Sequence, residues 1–403
     1  MKIKLIKAHI AKSKTIRTIS ISLPLVLLSS FGCSKKPLET PVPIEKSETG
    51  IQIHWDQSTL KKVSSSAAGE KYCGYARIIQ LQDQSLLAVY EADGSIVSVK
   101  STDLGATWSM PLLIAPRIDG TNMTVPDILE LTDHSLLACY NARPYQISPS
   151  RRFGIRTKKS IDGGLTWGAE QLLYEAGYQF ENGCWEPSAI QLPAGEIQLF
   201  FANEGNFPNS NEQNISLLRS SDNGTTWTKT PEIVSFRAGK RDGMPVPLVL
   251  KNGKDIVFSI EDNALVDFKP YIIRNSVQDN WATTVDASSS YRTYALADKI
   301  DNKIYAGAPY IRQLKTGETI LSYQGTEGRG NTIDFPDMKV VIGDDQAKNF
   351  NRKTVPFTIP QNRSCLWNSL SVLSDNTILA VTSTNAYSNS TEVWVIKGTV
   401  ISN

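Results

Sequence analysis

The amino-acid sequence predicts an all-β fold, a six-bladed β-propeller, and three observations carry this prediction. A hairpin pattern occurs six times, at intervals of roughly 50 to 64 residues. A loop pattern, S-x-D-x-G-x-x-W, occurs three times, and its serines lie 59 and 60 residues apart. No long segment places apolar residues at the 3.6-residue spacing of a helix. Six β units, each long enough for four strands, are typical of a propeller that builds one sheet from each repeat.

The first 33 residues have the features of an export signal. Six basic residues and no acidic residue precede the apolar run ISISLPLVLLSSFG, which ends at Cys33. This run is too short for a membrane-spanning helix. Cys33 stands where the cysteine of a bacterial lipobox is lipidated, although Ser30 and Phe31 depart from that pattern. We expect an exported lipoprotein anchored to a bacterial membrane, on the periplasmic or surface side of the outer membrane. The alternative is ordinary signal cleavage nearby.

Residues 34–49 predict a flexible linker, because the segment is rich in proline, lysine and glutamate and has few apolar residues. Residues 50–403 then form a single propeller domain, which we expect to be monomeric. Its six hairpins each join two apolar β-type runs by a short turn that contains Asp, Asn or Gly. They span Ala76 to Glu91, Pro126 to Asn141, Pro187 to Glu204, Pro245 to Asp262, Ala308 to Gly325 and Asn368 to Thr384.

The S-x-D-x-G-x-x-W loops are predicted to join the two outer strands of a blade and to be structural. Glycine supplies the turn conformation, the aspartate and serine side chains bind local amides, and the tryptophan packs under the turn. The alternative is that these aspartates bind calcium or substrate. The aspartate and tryptophan positions are Asp103, Trp108, Asp162, Trp167, Asp222 and Trp227.

Closure of the ring is predicted from the two ends of the propeller. The segment TEVWVIKGTVI near the C-terminus supplies an outer strand of the sixth blade. The segment from Gly50 to Asp56 can add the outermost strand beside it. A strand that comes from the other end of the chain removes an open sheet edge and locks the ring.

Composition argues against several function classes. Removal of the signal leaves 36 basic and 40 acidic residues, with no basic stripe, so nucleic acid is not an expected partner. The four remaining cysteines are Cys73, Cys139, Cys184 and Cys365, and none belongs to a C-x-x-C pair. We therefore expect no metal site and no cofactor. Disulfides between neighbouring blades, Cys73 with Cys365 and Cys139 with Cys184, remain open alternatives.

The pocket is expected at the channel mouth where inner strands begin and their partner strands end. Residues at these positions include carboxylates, arginines, amides and aromatic rings. Paired carboxylates and aromatic platforms suit the chemistry of sugars, since one acid can protonate a leaving oxygen while a carboxylate works on the other face of the ring. The candidate substrate-binding residues are Arg77, Asp127, Trp185, Glu204, Asp242, Tyr310, Arg312, Trp367 and Asn368.

The three S-x-D-x-G-x-x-W loops, in a chain with six predicted blades, resemble the Asp-boxes of the sialidase superfamily of propeller glycosidases. Within it, the segments CWEPSAIQL and DGMPVPLVLKNGKDIVFSIED resemble those that carry the two catalytic glutamates of exo-α-L-arabinanases, glycoside hydrolase family 93. The resemblance implies a retaining, exo-acting hydrolase of polysaccharide or oligosaccharide that needs no metal. It implies Glu186 and Glu261 as the catalytic pair, with a preference for Glu186 as nucleophile and Glu261 as acid/base.

Two alternatives remain open at this point. The segment GYARIIQL is similar to a motif of sialidases, which hold the substrate carboxylate with three arginines; Arg77, Arg312 and Arg241 are the candidates. The sialidase resemblance is weaker because the sixth blade offers only Tyr387, in a Ser/Asn-rich loop, as tyrosine nucleophile. The other alternative is a lipoprotein that binds glycans without cleaving them, with aromatic residues as stacking platforms.

Overall fold

The computed structural model describes residues 50–65, 68–330 and 333–402. The predicted signal, Cys33 and most of the linker lie outside these residues. Ile51–Ser402 form one compact unit of six four-stranded antiparallel sheets. The six innermost strands contact one another in a closed ring. The prediction of a six-bladed β-propeller is therefore confirmed.

Each blade is built from four strands that follow one another outward from the central channel. Blade one contains β2 to β5: Cys73–Gln80, Leu86–Ala92, Ser95–Ser101 and Leu112–Ala115. Blade two contains β6 to β9: Thr121–Glu130, Leu136–Pro144, Gly154–Ser160 and Gln171–Glu175. Blade three contains β10 to β13: Cys184–Gln191, Ile197–Asn203, Asn214–Ser220 and Glu232–Ser235.

The other three blades repeat this order. Blade four contains β14 to β17: Asp242–Val249, Asp255–Asp262, Lys269–Ser276 and Arg292–Tyr294. Blade five contains β18 to β21: Ala306–Gln313, Thr319–Gly325, Asp337–Gly343 and Asn351–Thr354. Blade six contains β22 to β24, Cys365–Val372, Ile378–Thr384 and Glu392–Ser402, and takes β1, Ile51–Lys62, as its fourth strand. A single 3-10 turn, Phe180–Asn182, is the one helical element in the described ranges. None of the described residues forms a helix long and apolar enough to span a membrane.

The predicted closure is confirmed by the pairing of β1 with β24. The two strands run antiparallel, with Ile53 opposite Val400 and Trp55 opposite Gly398. A side chain on Gly398 would come within 2.6 Å of the Trp55 ring, so the glycine lets this ring lie against the strand. The Trp55 Nε1 donates to Thr354 Oγ1 of blade five at 3.0 Å, which ties the closing strand to the next blade.

The three S-x-D-x-G-x-x-W loops lie between the third and fourth strands of blades one to three, as predicted. In the first loop, Gly105 N donates to Ser101 Oγ at 2.8 Å and Thr107 N donates to Asp103 Oδ1 at 2.9 Å. The same bonds recur in the other two loops. Bonds from Thr107 and Ser101 lower the pKa of Asp103 to about 2. These aspartates thus hold their own turns, at the outer edge of the ring.

Every inner strand contains a β-bulge at its third residue, or its fifth in the longer β6. The strand register shifts there in all six blades, and the residue adopts a positive φ of 47° to 54°. In four blades the next residue is proline. Proline has no N–H, and because the ladder is interrupted at this position no hydrogen bond is lost. The bulge residues are Tyr75, Val125, Glu186, Met244, Ala308 and Trp367.

At the opposite mouth, side chains bind the blades to one another. The last inner-strand residue of one blade accepts a backbone N–H from the turn of its neighbour in four places. Gln80, for example, accepts from Ser374 N at 2.7 Å. Between blades five and six, Asn376 accepts from Lys315 N at 2.7 Å. Between blades three and four, the equivalent positions are Pro193, which has no N–H, and Val249, which has no acceptor.

Blades three and four are joined instead by aromatic packing. Phe200 and Phe258 lie 5.3 Å apart between ring centroids, and Trp281 contacts both rings. The Trp281 Nε1 donates to Gln198 Oε1 at 3.1 Å. Both phenylalanines are fully buried, so packed rings and the hydrogen bond of Trp281 together join these two blades.

Candidate active site

The bulges decide which side chains meet at the pocket mouth. Five of the six bulge residues are apolar or aromatic, and Tyr75, Val125, Met244 and Ala308 form one buried cluster with Trp367 packed against it. The sixth is Glu186, a carboxylate in an otherwise apolar ring. Below this ring the channel retains only a cavity of about 10 Å³, roughly the space of one water molecule. The pocket above is therefore blind, with Glu186 in its floor.

Glu186 is bound to the neighbouring blade and strongly perturbed. Its Oε2 accepts a hydrogen bond from Met244 N at 3.1 Å. Burial, followed by the charge of Glu261, raises the pKa of Glu186 to about 8, although the Arg143 and Arg241 guanidinium groups act in the opposite direction. A carboxyl group with this pKa is mostly protonated at neutral pH, so it can donate a proton.

Glu261 reaches the same floor from the end of β15 in blade four. Its Oε2 accepts from Ala308 N of blade five at 3.0 Å. Two glycines make room for it, because a side chain would come within 3.2 Å of its Oε1 at Gly243 and within 2.7 Å of its Oε2 at Gly307. Burial raises the pKa of Glu261, while the bond from Ala308 and the charge of Arg241 lower it. The two glutamates thus lie on adjacent blades and interact electrostatically.

An aromatic wall lies on the blades across the pocket. Trp367 of blade six stacks on Tyr75 of blade one, with ring centroids 4.3 Å apart, and meets the edge of Tyr72 at 6.5 Å. The carboxylates occupy blades three and four. A ligand in the pocket would therefore stand between a carboxylate pair and an aromatic face, which is the arrangement that sugar rings favour.

A third carboxyl group belongs to the same pocket. Glu91 occupies in blade one the position of Glu261 in blade four, because each pairs with a glycine at the bulge, Gly74 and Gly243. Glu91 accepts a bond from the Thr124 hydroxyl. Burial raises the pKa of Glu91 to about 7, against the effects of that bond and of the Arg143 charge.

Seven of the nine predicted substrate-binding residues lie at the pocket, beside it or in the channel below it. Trp367 and Glu204 border the pocket, and Glu204 is buried and paired with Arg241. Trp185 packs between Phe153 and Phe180, with Arg143 over its ring at 5.0 Å. Inside the channel, below the bulge ring, the buried side chains are Arg77, Asp127, Tyr310 and Asn368.

The last two predicted residues lie away from the pocket. Arg312 lines a cavity of about 460 Å³ at the opposite mouth, with its guanidinium 4.3 Å from the Tyr310 ring. Asp242 is completely buried and bound by Arg237 and Arg292, which also hold Asp262. These positions favour structural roles for Arg312 and Asp242.

The arginines that the sialidase alternative needs have different neighbours. Arg77 and Arg312 both contact the Tyr310 ring, at 4.8 and 4.3 Å, within the channel and at its far end. Arg241 lies at the pocket mouth, where it binds Glu204 and Gln213. The arginines nearest to the two glutamates are Arg143 and Arg241, whose charges both lower the pKa of Glu186. This geometry does not favour an arginine triad built from the predicted residues.

Three tyrosines of the pocket, Tyr72, Tyr75 and Tyr305, escaped prediction from the sequence. Tyr72 and Tyr305 each precede an inner strand by one residue, and their hydroxyls lie 2.5 Å from where a side chain on Gly74 or Gly307 would begin. The repeated pattern Y-x-G, in blades one and five, was the available signal. All four described cysteines are buried and free, so neither disulfide forms. Within the described ranges no cluster of three or more potential metal ligands occurs.

Comparison with solved structures places this fold among known propellers. A protein of unknown function from Dyadobacter fermentans matches 87% of this chain and all of its own, with 16% identity and a TM-score of 0.65. The α-L-arabinanase of Penicillium chrysogenum, solved with arabinobiose, matches 85% of this chain and 98% of its own, with 17% identity and a TM-score of 0.64. A leech intramolecular trans-sialidase matches 83% and 68%, with 12% identity and a TM-score of 0.57.

The fold is that of arabinanase and sialidase propellers. Sequence identities this low show the fold of the chain and do not show its chemistry, which depends on the residues of the pocket. No family model matches the chain. No curated protein matches it either.

Proposed function

We propose that this protein is a retaining, exo-acting glycoside hydrolase of the arabinanase type. The observation that carries the proposal is the pair Glu186 and Glu261, brought by adjacent blades to the floor of one pocket and coupled through their charges. A retaining glycosidase needs two carboxyl groups about 5 Å apart. The similarity in fold to α-L-arabinanase, whose structure contains arabinobiose, supports an arabinose-containing substrate.

The shape of the pocket supports exo action. The bulge ring closes the channel, and the aromatic wall of Trp367 and Tyr75 faces the carboxylates. A blind pocket accepts the end of a chain, whereas cleavage within a chain needs an open groove. One or a few terminal sugar residues would then occupy the pocket, with the rest of the chain outside it.

The surroundings of the two glutamates support an assignment of roles opposite to the sequence-based preference. With a pKa of about 8, Glu186 holds its proton at neutral pH and can donate it to the leaving oxygen. Burial raises the pKa of Glu261 as well, but the Ala308 N–H and the Arg241 charge favour its ionised form, so we assign to Glu261 the carboxylate that attacks the anomeric carbon. Water then hydrolyses the glycosyl-enzyme, with Glu186 as general base.

The deciding assay uses the chain from residue 34 to 403, linear arabinan and a fluorogenic sialoside. Release of short arabinose products, with a loss of at least about a hundredfold in both Glu186→Gln and Glu261→Gln, supports the proposal. Sialoside cleavage that does not depend on Glu261 would favour the sialidase alternative. Failure to cleave either substrate, with retained binding of arabinobiose, would favour a glycan-binding protein.

A second assay assigns the two roles. An aryl arabinoside with a good leaving group needs little proton donation in the first step. We expect Glu186→Ala to retain this first step and to form an arabinosyl azide of retained anomeric configuration when azide is added, while Glu261→Ala forms only the azide of inverted configuration. The reverse result would restore the original preference.

We also propose that the protein is exported and lipid-anchored through Cys33. The basic and apolar segments before this cysteine support the proposal. Labelling of the full chain with a radioactive fatty acid in a bacterial host tests it. Label in the wild type and none in Cys33→Ala is the expected result, while equal export of an unlabelled protein would contradict lipidation.

A further inference from the structure

The hydroxyl of Tyr305 lies at the edge of the candidate active site, beside one of the two glutamates. Tyr305 immediately precedes β18 in blade five and is half-buried. Its hydroxyl is 2.5 Å, and Glu261 Oε2 is 2.7 Å, from the point where a side chain on Gly307 would begin. The two oxygens therefore share the space that this glycine leaves open.

Gln324 fixes the direction of the hydrogen bonds around this hydroxyl. The backbone N–H of Trp367 donates to Gln324 Oε1 at 2.8 Å. Since a backbone N–H can only donate, the amide oxygen of Gln324 must face it and the amide nitrogen must face the other way. That nitrogen, Nε2, donates to the Tyr305 hydroxyl at 2.7 Å. Gln324 is buried, so turning the amide over would set N–H against N–H without water to relieve the contact.

The Tyr305 oxygen is therefore an acceptor towards Gln324, and its own proton must point elsewhere. A phenol has one proton to donate. Among the residues that the structure describes, none accepts a hydrogen bond from the Tyr305 hydroxyl, and the directions left open lead to Glu261 and to the pocket. Burial and the charge of Glu261 raise the pKa of Tyr305, so the hydroxyl stays protonated over the range in which the two glutamates titrate.

We infer that Tyr305 is a further substrate-binding residue, whose hydroxyl donates a hydrogen bond to the sugar oxygen that lies next to Glu261. The inference rests on the proposed function. The chain of bonds from Trp367 N–H through Gln324 to Tyr305 keeps the donor aimed before substrate arrives, so little ordering is needed on binding. A neutral donor also suits this place, because a cation there would pair with the carboxylate of Glu261.

Two substitutions test the inference by different routes. Tyr305→Phe removes the donor and keeps the ring. Gln324→Glu replaces the amide by a carboxylate, which only accepts hydrogen bonds when it is ionised. The carboxylate can still accept from Trp367 N–H. It also accepts the proton of the Tyr305 hydroxyl, which therefore no longer points into the pocket. We expect each to lower kcat/KM on arabinan about tenfold, the value of one lost hydrogen bond. The double variant should be no worse than either single one.

Tyr140→Phe is the matched control, because Tyr140 of β7 donates to Glu170 Oε2 at 2.6 Å, just before β9, and its ring packs in a core cluster separate from the pocket residues. It should keep wild-type kcat/KM. A Tyr305→Phe variant within twofold of the wild type would overturn the inference while the proposed function stands, provided that Glu186→Gln and Glu261→Gln are inactive. An additional loss in the double variant would show that the new charge, and not the Tyr305 proton, causes the effect of Gln324→Glu, and would also overturn it.

A neutron crystal structure of the wild type tests the geometry independently of activity. The Tyr305 deuteron should point into the pocket, and the Gln324 amide deuterons should point to Tyr305. A Tyr305 deuteron directed at Gln324 would overturn the inference even if arabinan is cleaved. If the wild type cleaves no glycan, the proposed function fails, and the position of this deuteron still decides whether Tyr305 is aimed at the pocket.

Discussion

Replacing Glu186 by glutamine should make the protein more stable at alkaline pH. Glu186 has a pKa of about 8 in the folded protein, against 4.5 for an ordinary glutamate. Between pH 4.5 and about 8, this carboxyl group is therefore protonated in the folded state and ionised in the unfolded state. Stability therefore falls as pH rises through this range, and the loss is complete above the pKa of the folded state. Glutamine has the same shape and no charge, so the variant escapes the loss.

The size of the gain follows from the same difference. A full shift to about 8 corresponds to at most about 5 kcal/mol, at about 1.4 kcal/mol per pKa unit. The pocket is open to water and two arginines lie nearby, which reduces the cost of the charge. We expect Glu186→Gln to raise the free energy of unfolding by about 1 to 2 kcal/mol at pH 9, and by almost nothing at pH 4.5.

Urea unfolding at pH 4.5, 7 and 9 measures this difference, with the exposed Glu181→Gln as control. The control should show no pH-dependent difference from the wild type. A Glu186→Gln variant that is less stable than the wild type at pH 9, or a difference that does not change with pH, would refute the reasoning. The expected result is a trade of stability for function at one carboxyl group.

Three other perturbations have expected outcomes. The rate of hydrolysis should fall as pH rises above about 8, when Glu186 loses its proton. Arg143→Met should move this alkaline limb to higher pH, because it removes a positive charge that lowers the Glu186 pKa. Initial rates from pH 5 to 10 measure both effects. Gly307→Ala should lower kcat by about ten- to a hundredfold, since the added carbon would stand 2.7 Å from Glu261 Oε2. Arg292→Met should cost about 3 to 5 kcal/mol of unfolding free energy in urea, because it leaves buried carboxylates without a partner.

The glycine substitution and the Arg292 substitution each have a matched control. Gly168→Ala adds a carbon that meets only a backbone oxygen, at 3.4 Å, and kcat should not change. Arg151→Met breaks an exposed pair with Asp119 and should cost less than about 1 kcal/mol. Equal losses in the Arg292 and Arg151 variants, or an alkaline limb that stays in place without Arg143, would contradict the corresponding explanation.

The sequence predicted the blades because their information is local. The hairpin from Pro245 to Asp262 contains most of β14 and all of β15 in blade four, with the turn at the place where the structure has it. The S-x-D-x-G-x-x-W loops were equally readable, since Ser101 and Asp103 bind amides within four residues of themselves. Strand and turn chemistry of this kind needs no knowledge of the rest of the chain.

The depth of each side chain in the channel could not be read in this way. Along a strand, a one-residue bulge moves all later side chains to the other face, and each inner strand has such a bulge. Arg77 and Tyr310 both follow the bulge residue by two positions, which places them below the ring rather than in the pocket. The recurrent prolines after four bulge residues were a usable sign, because proline inside a strand marks an interrupted ladder.

The contacts of Glu261 and Tyr305 were hidden for a different reason. They meet at Gly307 because β15 of blade four and the start of β18 in blade five lie side by side there, and no spacing along the chain encodes that point. The ion pairs of Asp242 were hidden for the same reason, since its partner Arg237 lies in a loop and its partner Arg292 in an outer strand, and their positions depend on the assembled ring.

The junction between blades three and four has a consequence for catalysis. Pro193 and Val249 leave it without the hydrogen bond near the hairpin turns that the other five junctions have, and Phe200, Phe258 and Trp281 pack between the two blades there. Glu186 and Glu261 belong to these two blades. The size of these buried rings therefore influences the distance between the two glutamates, and a smaller side chain at Phe258 would change the rate of hydrolysis without touching the substrate.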